Sequence, residues 1–140
     1  MKHAKQNVRN LLLLAAVVVG GALGVGADRA LGAQQSGIKR TILLRTDDPA
    51  GPGHEAVMGI AEIAPGASAG KHRHYGIEIG YVLEGSVVIE HEGHPTITVK
   101  AGETFKNDGV HDAKNQGDKP LRILAVYLVE KGKPLAEPVP

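Results

Sequence analysis

Beyond residue 33 of this 140-residue chain, helical spacing of apolar residues is sustained nowhere. The apolar residues come instead in short β-branched runs: TILLRT (41–46), AVMGIAEIA (56–64), IEIGYVLE (77–84), SVVIEHE (86–92), PTITVK (95–100) and LRILAVYLVE (121–130). Gly, Pro and Asp separate them, the residues that close strands and form turns. Several short strands at close spacing predict an all-β sandwich or barrel over residues 38–130. Glu84-Gly85-Ser86 and Glu92-Gly93-His94 read as tight hairpin turns, because glycine takes positive φ without a steric cost, and Asp108-Gly109 reads as a third. DDPAGPG (47–53) is a loop, since its prolines cannot donate to a ladder. The tail KGKPLAEPVP (131–140) has three prolines and no period, so it is either disordered or laid across a neighbouring surface.

The first 33 residues read as a targeting segment. Lys2, Lys5 and Arg9 precede the uncharged run LLLLAAVVVGGALGVGA (11–27), which ends in small residues, the layout of a secretory signal. Cleavage after Ala27 and after Ala33 both fit, and an uncleaved anchor formed by residues 11–27 is the competing reading. The expected location is periplasmic or secreted, with membrane contact only if the segment is retained. Residues 1–33 hold four of the sixteen basic residues and one of the fifteen acidic ones, so the remaining domain carries a charge of −2.

That near-neutral balance leaves no basic field for nucleic acid. Three Tyr and one Phe provide few stacking platforms for bases. The absence of cysteine removes disulfides, thiolate metal sites and cysteine nucleophiles together. Any metal must be held by histidine and carboxylate. A hydrolase is not supported either, since Ser36, Ser68 and Ser86 lie in loop or turn contexts with no adjacent base.

The stretch GKHRHYGIEIG (70–80) carries such a set. In an extended chain alternate side chains share a face, so His72 and His74 can offer two imidazoles to one ion while Arg73 points outward. Gly76 permits a bend, and Glu78 opens the next strand with its carboxylate able to swing back. His111 would supply a third imidazole, at a sequence separation that only barrel closure could bridge. Such a set suits Fe, Mn, Ni, Zn or Cu as the divalent ion. Taken singly, each residue has an ordinary alternative as part of a solvated turn or exposed strand. Together with their bracketing glycines they favour a metal site. His54, His91 and His94 read as surface residues, His3 falls in the targeting segment, and Asn115 reads as a turn-closing residue.

Gly66, five residues, His72-x-His74, three residues, Glu78, six residues and Gly85 together resemble the first motif of the cupin superfamily. Gly102, His111 and Asn115 resemble its second motif, with two residues fewer before the histidine and NDGV in place of a PxG turn. The resemblance spans residues 43–130. It implies a jelly-roll barrel with a metal in its mouth, a homodimer, and His72, His74, Glu78 and His111 as ligands. It also implies a metal-dependent enzyme of the oxygenase type on a small organic substrate, in which Glu78 is a ligand or, when displaced, a base. A noncatalytic periplasmic module binding a metal or small ligand is the alternative, favoured by the sparse supply of other polar groups. Glu62, Tyr75, Tyr81 and Tyr127 are the remaining candidates for an acid, base or substrate clamp, and alternation turns Tyr81 away from the face of Glu78. The pocket is expected to be small and dry.

Overall fold

The computed structural model describes residues 37–140, and the targeting segment read from residues 1–33 lies outside them. Among the described residues there is no helix. Ten strands follow in chain order: β1 (Ile38–Asp47), β2 (His54–Ile63), β3 (His72–Arg73), β4 (Gly76–Glu84), β5 (Ser86–His91), β6 (Ile97–Lys100), β7 (Thr104–Asn107), β8 (His111–Lys114), β9 (Leu121–Glu130) and β10 (Glu137–Pro138). They form two five-stranded sheets, β1-β2-β9-β4-β7 and β10-β3-β8-β5-β6, with every neighbouring pair antiparallel.

The six β-branched runs read from residues 41–130 became β1, β2, β4, β5, β6 and β9. Strict alternation is visible in β2 and β9, where Val57, Ala61, Ile63, Leu121, Ile123, Ala125, Tyr127 and Val129 are buried and their sequence neighbours are less so. Val82, Val87 and Ile89 complete the fully enclosed centre from β4 and β5. The inward faces of the two sheets thus meet in one core, as the pleat requires.

Two of the expected hairpins are not hairpins. Glu84-Gly85-Ser86 joins β4 in the first sheet to β5 in the second, and Asp108-Gly109 joins β7 in the first to β8 in the second. A positive φ at Gly85 (78°) fits a tight turn locally. Both ladder edges of β4 are already taken by β7 and β9, however, and those of β5 by β6 and β8. The chain therefore turns a corner between sheets. Of the three, Gly93 (φ 75°) alone serves a hairpin, between β5 and β6, with residues 90–96 lying beyond the Ile89–Ile97 pair.

Glycine is required at Gly76 and Gly80 by close approach. A Cβ on Gly76 would lie 2.0 Å from the Leu128 carbonyl oxygen, and one on Gly80 would lie 2.1 Å from the ring of Phe105. Phe105 faces Gly80 directly across the β4–β7 ladder, so its ring covers the space a side chain would occupy. Residues 131–140 run along the second sheet, where Glu137 and Pro138 pair with Arg73 and His72.

Candidate metal centre

The ladder registers build the site as two facing rows. In the second sheet His72 of β3 lies opposite His111 of β8, and His111 lies opposite His91 of β5. In the first sheet Asn107 of β7, Glu78 of β4 and Tyr127 of β9 occupy one register line. His74, just past β3, closes the space between the rows, its ring centroid 4.9 Å from that of Tyr127. The four residues singled out by the sequence are all brought together and buried: His72 is 5%, His74 9%, Glu78 7% and His111 1% exposed.

Each imidazole is fixed by a hydrogen bond from its Nδ1. His72 donates to the Gly70 carbonyl at 2.8 Å, His111 donates to the Gly109 carbonyl at 2.8 Å, and His74 donates to the Leu135 carbonyl. A carbonyl can only accept, so Nδ1 carries the proton and Nε2 keeps its lone pair. The His74 and His111 Nε2 atoms are buried without a hydrogen-bond partner. One ligating nitrogen from each of the three histidines falls within 4.8 Å of the others. Buried orphan nitrogens converging on one point are costly unless something binds them. Among the described residues this donor set fits a divalent metal ion, so His72, His74 and His111 are positioned to bind one.

Glu78 faces the same point, with Oε2 3.3 Å from His74 Nε2 and 3.5 Å from His111 Nε2. The Asn107 amide donates to Glu78 Oε2 at 2.6 Å. With its NH2 so engaged, Asn107 turns its oxygen to His91, whose Nε2 donates at 2.8 Å. His72 titrates at about 4, depressed first by burial and then by its two histidine neighbours.

Two contributors, His91 and Asn107, escaped the sequence reading. His91 is half-buried and linked through Asn107 to Glu78, which corrects its reading as a surface residue. Asn107 is 1% exposed, although TFKN carries no apolar run to mark it as a strand. Tyr127 was a candidate without a place. The structure buries it against His74, and burial and then the Glu78 charge push its hydroxyl well above the usual range, with Arg40 opposing. The other candidates sit outside: Tyr81 is 42% exposed, Tyr75 binds Glu137 on the outer face, and Glu62 pairs with Lys39. His54 and His94 are exposed. Asn115 spans Ile63 and Lys119 by their carbonyls and receives the Gly117 amide, the turn-closing part expected of it.

The shortened second motif still presents His111 inward, and Gly109, two residues before it, supplies its orienting carbonyl. Further support comes from Asp112, which accepts from Ser68 Oγ at 2.8 Å, while Ser68 Oγ accepts the Gly70 amide. This fixes the loop whose Gly70 carbonyl orients His72. A cavity of ≈160 Å³ lies against His91 and His111 and is also lined by Lys71, Glu92 and Asp112.

Residues 59–127 match the family described as the cupin domain. The chain belongs to the cupin superfamily. Solved structures agree with this assignment of fold. The chain superposes on an uncharacterised double-stranded β-helix protein from Klebsiella pneumoniae with a TM-score of 0.58, at 20% identity over 71% of this chain and 83% of that one. A cupin superfamily protein from Desulfitobacterium hafniense matches with a TM-score of 0.55, at 16% identity over 70% and 83%. A predicted oxalate decarboxylase from Thermotoga maritima matches with a TM-score of 0.55, at 28% identity over 66% and 80%. No curated protein matches the sequence.

Proposed function

We propose that this cupin is an exported, divalent-metal-dependent enzyme acting on a small organic substrate at the His72–His74–His111 centre. The observation that carries the reading is the pair of buried, partnerless Nε2 atoms on His74 and His111, held toward one point by Nδ1 bonds to backbone carbonyls. Glu78 would be the fourth ligand; its Oε2 lies beside both nitrogens and accepts a hydrogen bond from the Asn107 amide. An ion so held supplies Lewis-acid polarisation of a substrate oxygen and, where redox-active, one-electron chemistry. Three neutral imidazoles and a carboxylate suit iron, manganese, nickel, zinc or copper, and oxygenase chemistry on iron is the first class to test.

The protein's own groups then bind substrate and manage protons. Tyr127, kept protonated by burial and by Glu78, can donate a hydrogen bond or proton beside the centre. Glu78 offers a carboxylate that could serve as a base, and Asn107 maintains its orientation. Arg40 alternates to the inner side of β1 between Ile38 and Ile42, and its charge reaches the Tyr127 hydroxyl. The Thermotoga maritima neighbour is named for oxalate, a small carboxylate.

The test is elemental analysis of protein purified without added metal or chelator, with oxygen uptake and carbon dioxide release followed against small acids, catechols, flavonols, thiols and diketones. About one ion per chain in the wild type, lost in His74→Ala, is the expected result, and a metal content unchanged by His74→Ala overturns the site. Stoichiometric metal with no turnover of any panel member would favour the noncatalytic periplasmic module instead. Export is checked by N-terminal sequencing from the native host, where a start near Asp28 or Gln34 is expected.

A further inference from the structure

The three histidines are not oriented in the same way. For His72 and His111 the accepting carbonyl lies two residues back, on Gly70 and Gly109, so each carries its own support within its loop. The support of His74 is Leu135, sixty-one residues further along the chain. That carbonyl belongs to a segment with no ladder partner except β3.

The segment is held from both sides. Leu135 and Ala136 are buried, at 4% and 7% exposure. On the outer face Glu137 accepts from Tyr75 Oη at 2.7 Å and from Arg73 Nε at 2.6 Å, and the Arg73 Nη2 lies 2.5 Å from the same carboxylate. The Val139 amide donates to the Lys71 carbonyl at 2.9 Å, and Lys133 Nζ lies 5.0 Å from the Tyr75 ring centroid. Arg73 stands between the two ligands of the HxH motif and faces outward. Its side chain is thus placed to hold against β3 the segment whose backbone holds His74.

We propose that residues 133–139 are a positioning strap for the metal centre, fastened by the Arg73–Glu137–Tyr75 clamp and acting on the ion through the Leu135 carbonyl and His74. With the strap in place, His74 keeps its proton on Nδ1 and its lone pair on Nε2. With the strap removed, Nδ1 loses its acceptor, the tautomer with Nε2–H becomes accessible, and the ring is free to turn. His72 and His111 keep their loop carbonyls in either case. The strap is therefore selective for one ligand of three.

The affinity part of this inference rests on the metal reading given above, but the orientation of His74 is measurable without metal. Long-range nitrogen–proton NMR spectra of the metal-free full-length chain, above the pH at which its imidazoles titrate, are compared with those of a variant ending at Gly132. Zinc affinity is measured on both by competition with a fluorescent chelator. The full-length chain is expected to show His74 as the Nδ1–H tautomer. Truncation is expected to abolish that pattern for His74 alone and to weaken zinc binding about 10–100-fold, the usual effect of removing a group that orients a metal ligand. An unchanged His74 spectrum after truncation overturns the strap. If the full-length chain binds no zinc, the metal reading fails, and the His74 spectra alone decide for or against the strap. Should the truncated chain not fold, the double variant R73M/E137Q retains the backbone and loses the clamp. A severalfold weaker zinc affinity is expected of it, and unchanged affinity overturns the clamp.

Discussion

His72 shows how one residue couples the site to stability. Its pKa falls from 6.5 to about 4 because burial and its histidine neighbours disfavour the charged ring. The unfolded chain therefore binds a proton between pH 6.5 and 4 that the metal-free folded chain refuses. The stabilisation is fully present above the unfolded value near 6.5 and is lost as pH falls toward 4, by about 3 kcal/mol at most, from about 1.4 kcal/mol per pKa unit. Thermal melts of metal-free protein should show this decline, and His72→Gln should flatten it. A melting temperature that rises on acidification would show that His72 is charged in the fold. The two-residue spacing of the HxH motif was legible because alternation is a local rule. The depressed pKa was not, because it depends on His111 and on burial that the opposite sheet provides.

At the scale of the element, β4 and β7 depend on a glycine. Phe105 rests over Gly80, next to the Glu78–Asn107 pair of the same ladder. Gly80→Ala inserts a methyl 2.1 Å from the ring, which must move. We expect a loss of about 1–3 kcal/mol, typical of overpacking, and partial recovery in Gly80→Ala/Phe105→Leu, measured by denaturant unfolding. Equal stability of Gly80→Ala and wild type would mean that the ring is not held there. The long strands could be read from their β-branched runs. The two- to four-residue strands β3, β7, β8 and β10 could not, since HR, TFKN, HDAK and EP have too little apolar periodicity to distinguish them from loops. They carry or adjoin three of the four candidate ligands, so the least periodic part of the chain holds most of the chemistry.

At the scale of the whole molecule, the outer face of the first sheet carries Leu44, Ile79, Tyr81 and Leu128, each more than 40% exposed. Along the β4–β9 ladder Ile79 lies opposite Val126, two residues from Leu128, and Tyr81 lies opposite Leu124. A run of exposed apolar residues on one sheet favours association, and a second copy of the chain is the partner we propose for it. Ile79→Glu/Leu128→Glu should convert a dimer to a monomer in light scattering while leaving the melting profile at low concentration intact. A wild-type chain that is monomeric at high concentration would refute the dimer.

The sequence by itself determined the strand-rich character of residues 38–130 and the spacing of the HxH motif with Glu78, whereas His111 joins them only through the pairing of β8 with β3. Both sequence features follow from side-chain period, turn chemistry and a motif written within a few residues. Tertiary structure alone decided that Gly85 and Gly109 turn corners between sheets, that Asn107 and Tyr127 flank Glu78, that His91 reaches the centre through Asn107, and that Leu135 orients His74. Each of these depends on which strands become neighbours. That choice is made by closing the two sheets over a shared core, and no window of sequence contains it.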